Sequence, residues 1–382
     1  QLYANRGESF IIILDEWDCV FRLAKEQKEI QKDYLDFLRG LFKGNEYVDL
    51  AYMTGILPIK KYGEHSAINI FDEYSMLDSA DLAEFFGFTE KEVLALCLEK
   101  EIDFSKLQQW YDGYILNGIH IYNPKSVTDV IKRGNFKSYW TATETYEALK
   151  VYIDMNFDGL KESVTAMLGN CHYKIDSSTF QNDMTTLQSK DDVLTLLVHL
   201  GYLTYDEISE EVYIPNREIM QEFVRAIKVG GWDGLIQSLN HSEDLLKNTW
   251  ALDEKAVAKG LEEIHNSMTS ILKYNDENSL TCTILIAYYS AKIYYMNPLM
   301  ELPSGKGFAD VVYLPKRNVD KPALVIELKW KKSAKGAIQQ IKENQYTSWL
   351  KEYTGNILLL GINYDKKKGH ECVIEEYQME GI

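Results

Sequence analysis

Residues 323–332 read ALVIELKWKK. An apolar run of this length, bounded by polar residues, reads as a buried strand. Side chains alternate across a strand, so Leu324, Ile326 and Leu328 share one face and Val325, Glu327 and Lys329 share the other. A strand this apolar therefore carries a carboxylate and an ammonium side by side. They are either a solvated pair at a sheet edge or part of a site.

The preceding strand, FADVVYLPK, begins near Asp310, just after the turn SGKG. Pairing of the two strands brings Asp310 close to Glu327. Two carboxylates at a strand fork make a hard-oxygen site suited to Mg²⁺ or Mn²⁺. Lys329, on the same side as Glu327, can orient or activate a metal-bound water and steady charge on a phosphate. Phosphodiester cleavage needs these parts. A helix is expected from Ser333 to Leu350, with Ala334, Ala337, Ile338 and Ile341 on one face. Gln345 continues that face at i+4 from Ile341. It points at a ligand water or a scissile phosphate, or else satisfies local backbone. From Lys316 to Lys351 there are nine Lys and Arg against three acids. That excess suits a polyanion; the plainer reading is a solvated helix face.

The order of elements from Leu280 onward reads helix, three strands, helix, strand, strand. Asp310 followed by Glu327-Leu328-Lys329 in that order, and then AIQQIKENQY, resembles the PD-(D/E)xK nuclease superfamily. It is similar in particular to the nuclease-like domain attached to a bacterial AAA-ATPase-like domain. The resemblance implies a restriction-endonuclease-like α/β fold. It implies Asp310 and Glu327 as metal ligands, Lys329 as the catalytic lysine and Gln345 as an auxiliary group. Glu277, opening the first helix of this region, matches a helix acid that some members add to the metal site. Ala309 stands where the motif's name has Pro.

Near the other end, SFIIIL (Ser9 to Leu14) reads as a central strand of a parallel sheet ending in Asp15-Glu16. A helical pattern follows, then a second buried strand in VDLAYMTGIL, ending near Thr54. IIILDE fits a Walker B strand, in which the Asp holds Mg²⁺ and the Glu polarises the attacking water. The segments LDEWD, AYMTGI, FDEYSMLD, FFGFTEKEV, WYDGYIL, YNPKSV and YIPNREI resemble, in order, the same AAA-ATPase-like family. The resemblance implies Asp15, Glu16 and Thr54 as nucleotide-site residues, Thr54 being the sensor of the γ-phosphate. No GxxxxGK[ST] occurs in the sequence, and the family keeps that phosphate cradle upstream of the Walker B strand. The expectation is an N-terminally incomplete module, with ATP a ligand of a longer protein only.

Between these regions Thr89 and Glu92 form a capping box and Ser126 can cap a further helix. Trp110, Tyr111 and Tyr114 read as core aromatics around an Asp112-Gly113 turn. Residues 201–216 read as a hairpin, and helices dominate the rest. The expected organisation is the remainder of an AAA-ATPase-like domain with a partial P-loop-type parallel sheet (1–140), a mostly helical middle (141–270) and a nuclease-like domain (271–382).

Composition narrows the function classes. A net charge of −17 disfavours non-specific nucleic-acid binding by the whole surface, so binding is expected at residues 316–351, with DNA ahead of RNA. Five scattered cysteines form no CxxC pair, and the histidines lie singly with no HxxxH spacing, which fits a reducing cytoplasm and argues against a disulfide framework, a zinc site and histidine ligands. No window is apolar enough for a membrane span. An oligomer stays open. The leading expectation is a Mg²⁺-dependent nuclease coupled to an ATPase-like module. The alternatives are a non-enzymatic, nucleotide-responsive interaction protein with a vestigial site and a helical scaffold.

Overall fold

Helices and strands alternate along the chain and group into two units, Gln1–Thr145 with Lys174–Met220, and Tyr146–Tyr173 with Gln221–Ile382. The computed structural model describes all residues except 1–2, 4–6, 25–26, 57–69, 141–144, 156, 158, 181–186, 269–276, 297, 305–306, 318, 344–354 and 378–382.

In the first unit, β1 (Phe10–Leu14) and β2 (Val48–Met53) pair in parallel and are joined across α1 (Lys28–Phe42). Leu35, Leu38 and Phe42 of the helix bury against Trp17, with Ile12, Leu14, Ala51 and Met53 packed beside them. The alternate residues Ile11, Ile13, Leu50 and Tyr52 are exposed. Among the described residues this sheet has two strands, so the apolar run of β1 is covered on one face rather than on both, as its composition suggested.

The capping box forms as expected at α2 (Glu90–Lys100). Glu92 N–H donates to Thr89 Oγ1 and Thr89 N–H donates to Glu92. Trp110 and Tyr111, ending α3 (Phe104–Tyr111), are buried with Tyr114. Tyr114 opens the tight hairpin β3 (Tyr114–Leu116) and β4 (Ile119–Tyr122). Gly113, just before β3, has φ 128°, and a Cβ there would lie 1.8 Å from the Pro215 carbonyl oxygen. Only glycine fits that conformation and contact. The cap of α4 (Pro124–Arg133) is Asn123, not Ser126. Proline at the first helical position moves the start upstream, and Ser126 sits inside the helix, donating to buried Glu218 at 2.7 Å. After α5 (Lys190–His199), β5 (Thr204–Asp206) and β6 (Glu211–Tyr213) form the expected hairpin.

The second unit is built on a mixed five-stranded sheet. Its strands are β7 (Leu299–Ser304), β8 (Gly307–Tyr313), β9 (Ala323–Trp330), β10 (Ile357–Asp365) and β11 (Gly369–Tyr377), in spatial order β11-β10-β9-β8-β7. Only β9 and β10 run parallel. The crossover between them carries α9 (Ala334–Glu343), as a parallel connection requires. On the other face lie α6 (Asp233–Trp250), α7 (Glu254–Met268) and α8 (Glu277–Ala287), with α8 against β9 and α7 against β11.

All of β9 except Trp330 is buried, so both of its faces are covered. The face of Val325 and Glu327 lies under α9, where Ile338 and Ile341 join Val312, Val325 and Leu359 in one apolar cluster. The helix comes close because Gly361 stands opposite Glu327 in the register. A Cβ on Gly361 would lie 2.2 Å from the Ala334 carbonyl oxygen and 3.0 Å from Ile338. Gly361→Ala should therefore overpack this contact and cost about 1–3 kcal/mol. A fall in the thermal midpoint is expected; an unchanged midpoint would show that α9 does not approach β10 this closely.

Candidate active site

Antiparallel pairing of β8 and β9 aligns Val311 with Ile326 and Val312 with Val325. One step further along the same register sets Asp310 opposite Glu327. There the side chain of Asp310 takes over from the backbone ladder, and Leu328 N–H donates to Asp310 Oδ2 at 2.6 Å. Asp310 lies within β8 rather than at its start.

Glu327 is 1% exposed and Lys329 9%. Two-residue periodicity sends both to the α9 side, and Lys329 Nζ donates to Glu327 Oε1 at 2.7 Å. Gln340 Nε2 donates to the same oxygen. The structure thus brings Asp310, Glu327 and Lys329 together as expected. The two open choices for the Glu327–Lys329 pair are resolved against a solvated sheet edge, because both side chains are buried in a central strand.

The amide at Glu327 belongs to Gln340, while Gln345 lies outside the described residues. The physical reason is helix rise. From Ala334, six residues to Gln340 run about 9 Å back along the sheet, or roughly three strand residues, which reaches the level of Glu327. Continuity of the apolar face did not single out Gln340; the length of the connection after β9 would have pointed to it. Glu277 opens α8, but its side chain also lies outside the described residues.

Asn363 drew no attention in the sequence. It pairs with Lys329 across the β9–β10 ladder and is 1% exposed. Its Oδ1 accepts from Lys332 N–H at 2.9 Å, and its Nδ2 donates to Glu371 at 3.3 Å. It pins the turn after β9, where Lys331 takes φ 56°. Lys331, Lys332 and Lys335 are exposed on and after this turn.

In the first unit, Asp15 and Thr54 follow the C-terminal ends of the parallel strands β1 and β2 and are joined by a hydrogen bond from Thr54 Oγ1 to Asp15 Oδ1. Glu16 N–H donates to Thr54 Oγ1 at 3.3 Å, and Glu16 has φ 51°. The three expected residues therefore meet at one point.

Comparison with known proteins bears on the second unit. Residues 275–375 match the PD-(D/E)XK nuclease superfamily. The matched segment contains Asp310, Glu327, Lys329 and Gln340, and it takes in the mixed sheet with α8 and α9. An uncharacterised protein encoded in the vnfD 5′ region of Azotobacter chroococcum mcd 1 is 21% identical over 393 residues, with 96% of this chain and 71% of that protein covered. No solved structure matches the chain.

Burial makes the pair at the centre of this nuclease-superfamily domain sensitive to removal of one partner. Lys329→Met would leave the Glu327 carboxylate buried without its ammonium and should destabilise the protein by about 3 kcal/mol. The double change Glu327→Leu with Lys329→Met should recover much of that loss in thermal or denaturant unfolding. Additive destabilisation by the second change would contradict a coupled buried pair.

Proposed function

We propose that the second unit hydrolyses nucleic-acid phosphodiester bonds with a divalent metal ion, through Asp310, Glu327, Lys329 and Gln340. The observation that carries this reading is the convergence of two carboxylates and a lysine at one buried strand fork inside the nuclease-superfamily segment. The donor set fits Mg²⁺ or Mn²⁺: both acids offer hard oxygen atoms from adjacent strands. Asp310 and Glu327 would hold the ion, and Glu277 is the candidate for a third carboxylate. The bound ion would polarise a phosphate oxygen and lower the pKa of a water.

The protein's own groups have distinct roles in this reading. Gln340 fixes the orientation of the Glu327 carboxylate. Lys329 releases Glu327 as substrate arrives and donates to a non-bridging phosphate oxygen, where negative charge grows in the transition state. Asn363 holds the following turn, so Lys331 and Lys332 face the polyanion beside the site. DNA is placed ahead of RNA as the substrate.

A second reading concerns the first unit and adds to the first. The hydrogen-bonded meeting of Asp15 and Thr54 past the ends of two parallel strands is where open α/β sheets bind ligands. We infer a nucleotide site of the AAA-ATPase-like kind there, which would gate the nuclease in a protein that also supplies a phosphate cradle. With no GxxxxGK[ST] in the sequence, this chain alone should not hydrolyse ATP.

Incubation of the purified chain with DNA and, separately, RNA in Mg²⁺ or Mn²⁺ should yield cleavage that chelation abolishes. Lys329→Ala should slow it by at least about a hundredfold, the range of a lost charge-stabilising donor. Cleavage at an undiminished rate in that variant would assign the activity elsewhere, and no cleavage of either substrate would return the site to a vestigial role. Lys331→Ala with Lys332→Ala should weaken substrate binding and reduce the slope of log K against log salt by about two. An unaltered slope would remove these lysines from the interface.

A further inference from the structure

The hairpin that carries the sheet past the candidate active site ends in a different set of ligating atoms. Glu262 and His265 stand three residues apart on α7 and so share a helix face. His370 opens β11 and faces them across the register from Tyr364. Glu262 Oε2 accepts from His370 Nδ1 at 2.7 Å and from His370 N–H at 3.2 Å. The rings of His265 and His370 meet edge to face with centroids 5.0 Å apart. One ligand atom from each of the three residues lies within 4.8 Å of the other two.

We propose that Glu262, His265 and His370 form a second metal site, rich in nitrogen, for an ion of the Zn²⁺ class. Two features of the cluster point to an ion. His265 is 3% exposed and His370 8%, so two imidazole rings are buried side by side at one carboxylate, and an ion in place of the His370 Nδ1 proton would lie between His370 and Glu262. The site also has a way in, since the Glu262 side chain is 39% exposed.

Donor chemistry separates this site from the one at Asp310 and Glu327. Two imidazoles and one carboxylate select Zn²⁺, Co²⁺ or Ni²⁺ over Mg²⁺, which prefers oxygen. Three protein ligands leave a fourth position to water. Gly369, at φ 76°, completes the cradle: a Cβ there would lie 3.0 Å from Glu262 Oε2. An ion held here would clamp α7 to the β10–β11 hairpin, and the sheet would gain rigidity next to Lys329.

The test uses the full chain without a histidine tag, stripped by chelator and titrated with Zn²⁺ by calorimetry and with Co²⁺ by visible absorption. Asp310→Ala should still bind one equivalent of Zn²⁺ and give a Co²⁺ spectrum with nitrogen ligation. His265→Gln and His370→Gln should each weaken Zn²⁺ binding at least tenfold and erase that spectrum, with circular dichroism confirming the fold. Should either histidine variant not fold, Glu262→Gln replaces it, with the same loss expected. Absence of Zn²⁺ binding by the stripped wild-type chain, loss of binding in Asp310→Ala alone, or binding unchanged in the histidine and Glu262 variants would each overturn the site.

Discussion

A buried carboxylate beside a buried ammonium is the constraint around which the second unit is arranged. Neither ion would tolerate the centre of a sheet alone, since desolvation costs several kcal/mol per charge. Glu327 and Lys329 meet because a strand repeats every two residues, and their 2.7 Å contact offsets part of that cost. The neighbours complete the arrangement. Asp310 caps the ladder at Leu328, Gln340 reaches Glu327 from the covering helix, and Asn363 fastens the turn beyond Lys329. Gly361 is the geometric condition for the helix, because any side chain opposite Glu327 would hold α9 off the sheet. A pair this buried adds little net stability compared with apolar residues of the same size. On the proposed reading, its value lies in holding charged groups fixed where a polyanionic substrate would exchange partners with them.

What the sequence made legible follows from the range of the interactions involved. The ALVIELKWKK strand, the Asp310 strand and the capping box at Thr89 rest on periodicity or on contacts within a few residues, and these appear in the structure with small boundary shifts. Gln340 was not singled out because which turn of a helix overlies a given strand residue is a tertiary quantity that face periodicity alone does not set. Ser126 against Asn123 turned on a proline that fixes the first helical position. Asn363 was hidden because an asparagine late in an apolar strand reads as a strand end until its partner on β9 is known. The exposure of Ile11 and Ile13 was hidden for a related reason: an apolar strand announces two faces to cover without saying what covers them.

The cluster of Glu262, His265 and His370 shows the limit of spacing arguments. Single histidines with no HxxxH pattern gave no sign of a shared location, because His370 lies 105 residues beyond His265 in the chain. Only the packing of α7 on β11 joins them. The same packing serves the sheet edge, where Glu254 accepts from Ile374 N–H at 2.9 Å and so occupies a donor of the outermost strand. An edge strand covered in this way is protected from pairing with another chain.

The basic segment needs a finer reading than its charge count. Nine cations between residues 316 and 351 suggested a broad polyanion surface. Several are engaged within the fold. Lys329 is paired with Glu327, Lys316 donates to the Lys292 carbonyl at 2.6 Å, Lys321 lies over the Trp250 ring, and Lys342 pairs with Glu375. Among the described residues, Arg317, Lys331, Lys332, Lys335 and the paired Lys342 are exposed; Lys331, Lys332 and Lys335 lie on the turn and first helical residues that follow β9. On the proposed reading, a few cations at one point of a protein of net charge −17 would steer a phosphate backbone there, while the acidic surface elsewhere repels it. Delivery to the end of β9 would then need fewer lysines than the sequence count implied, provided the turn that bears them is held in place, which is the part Asn363 plays.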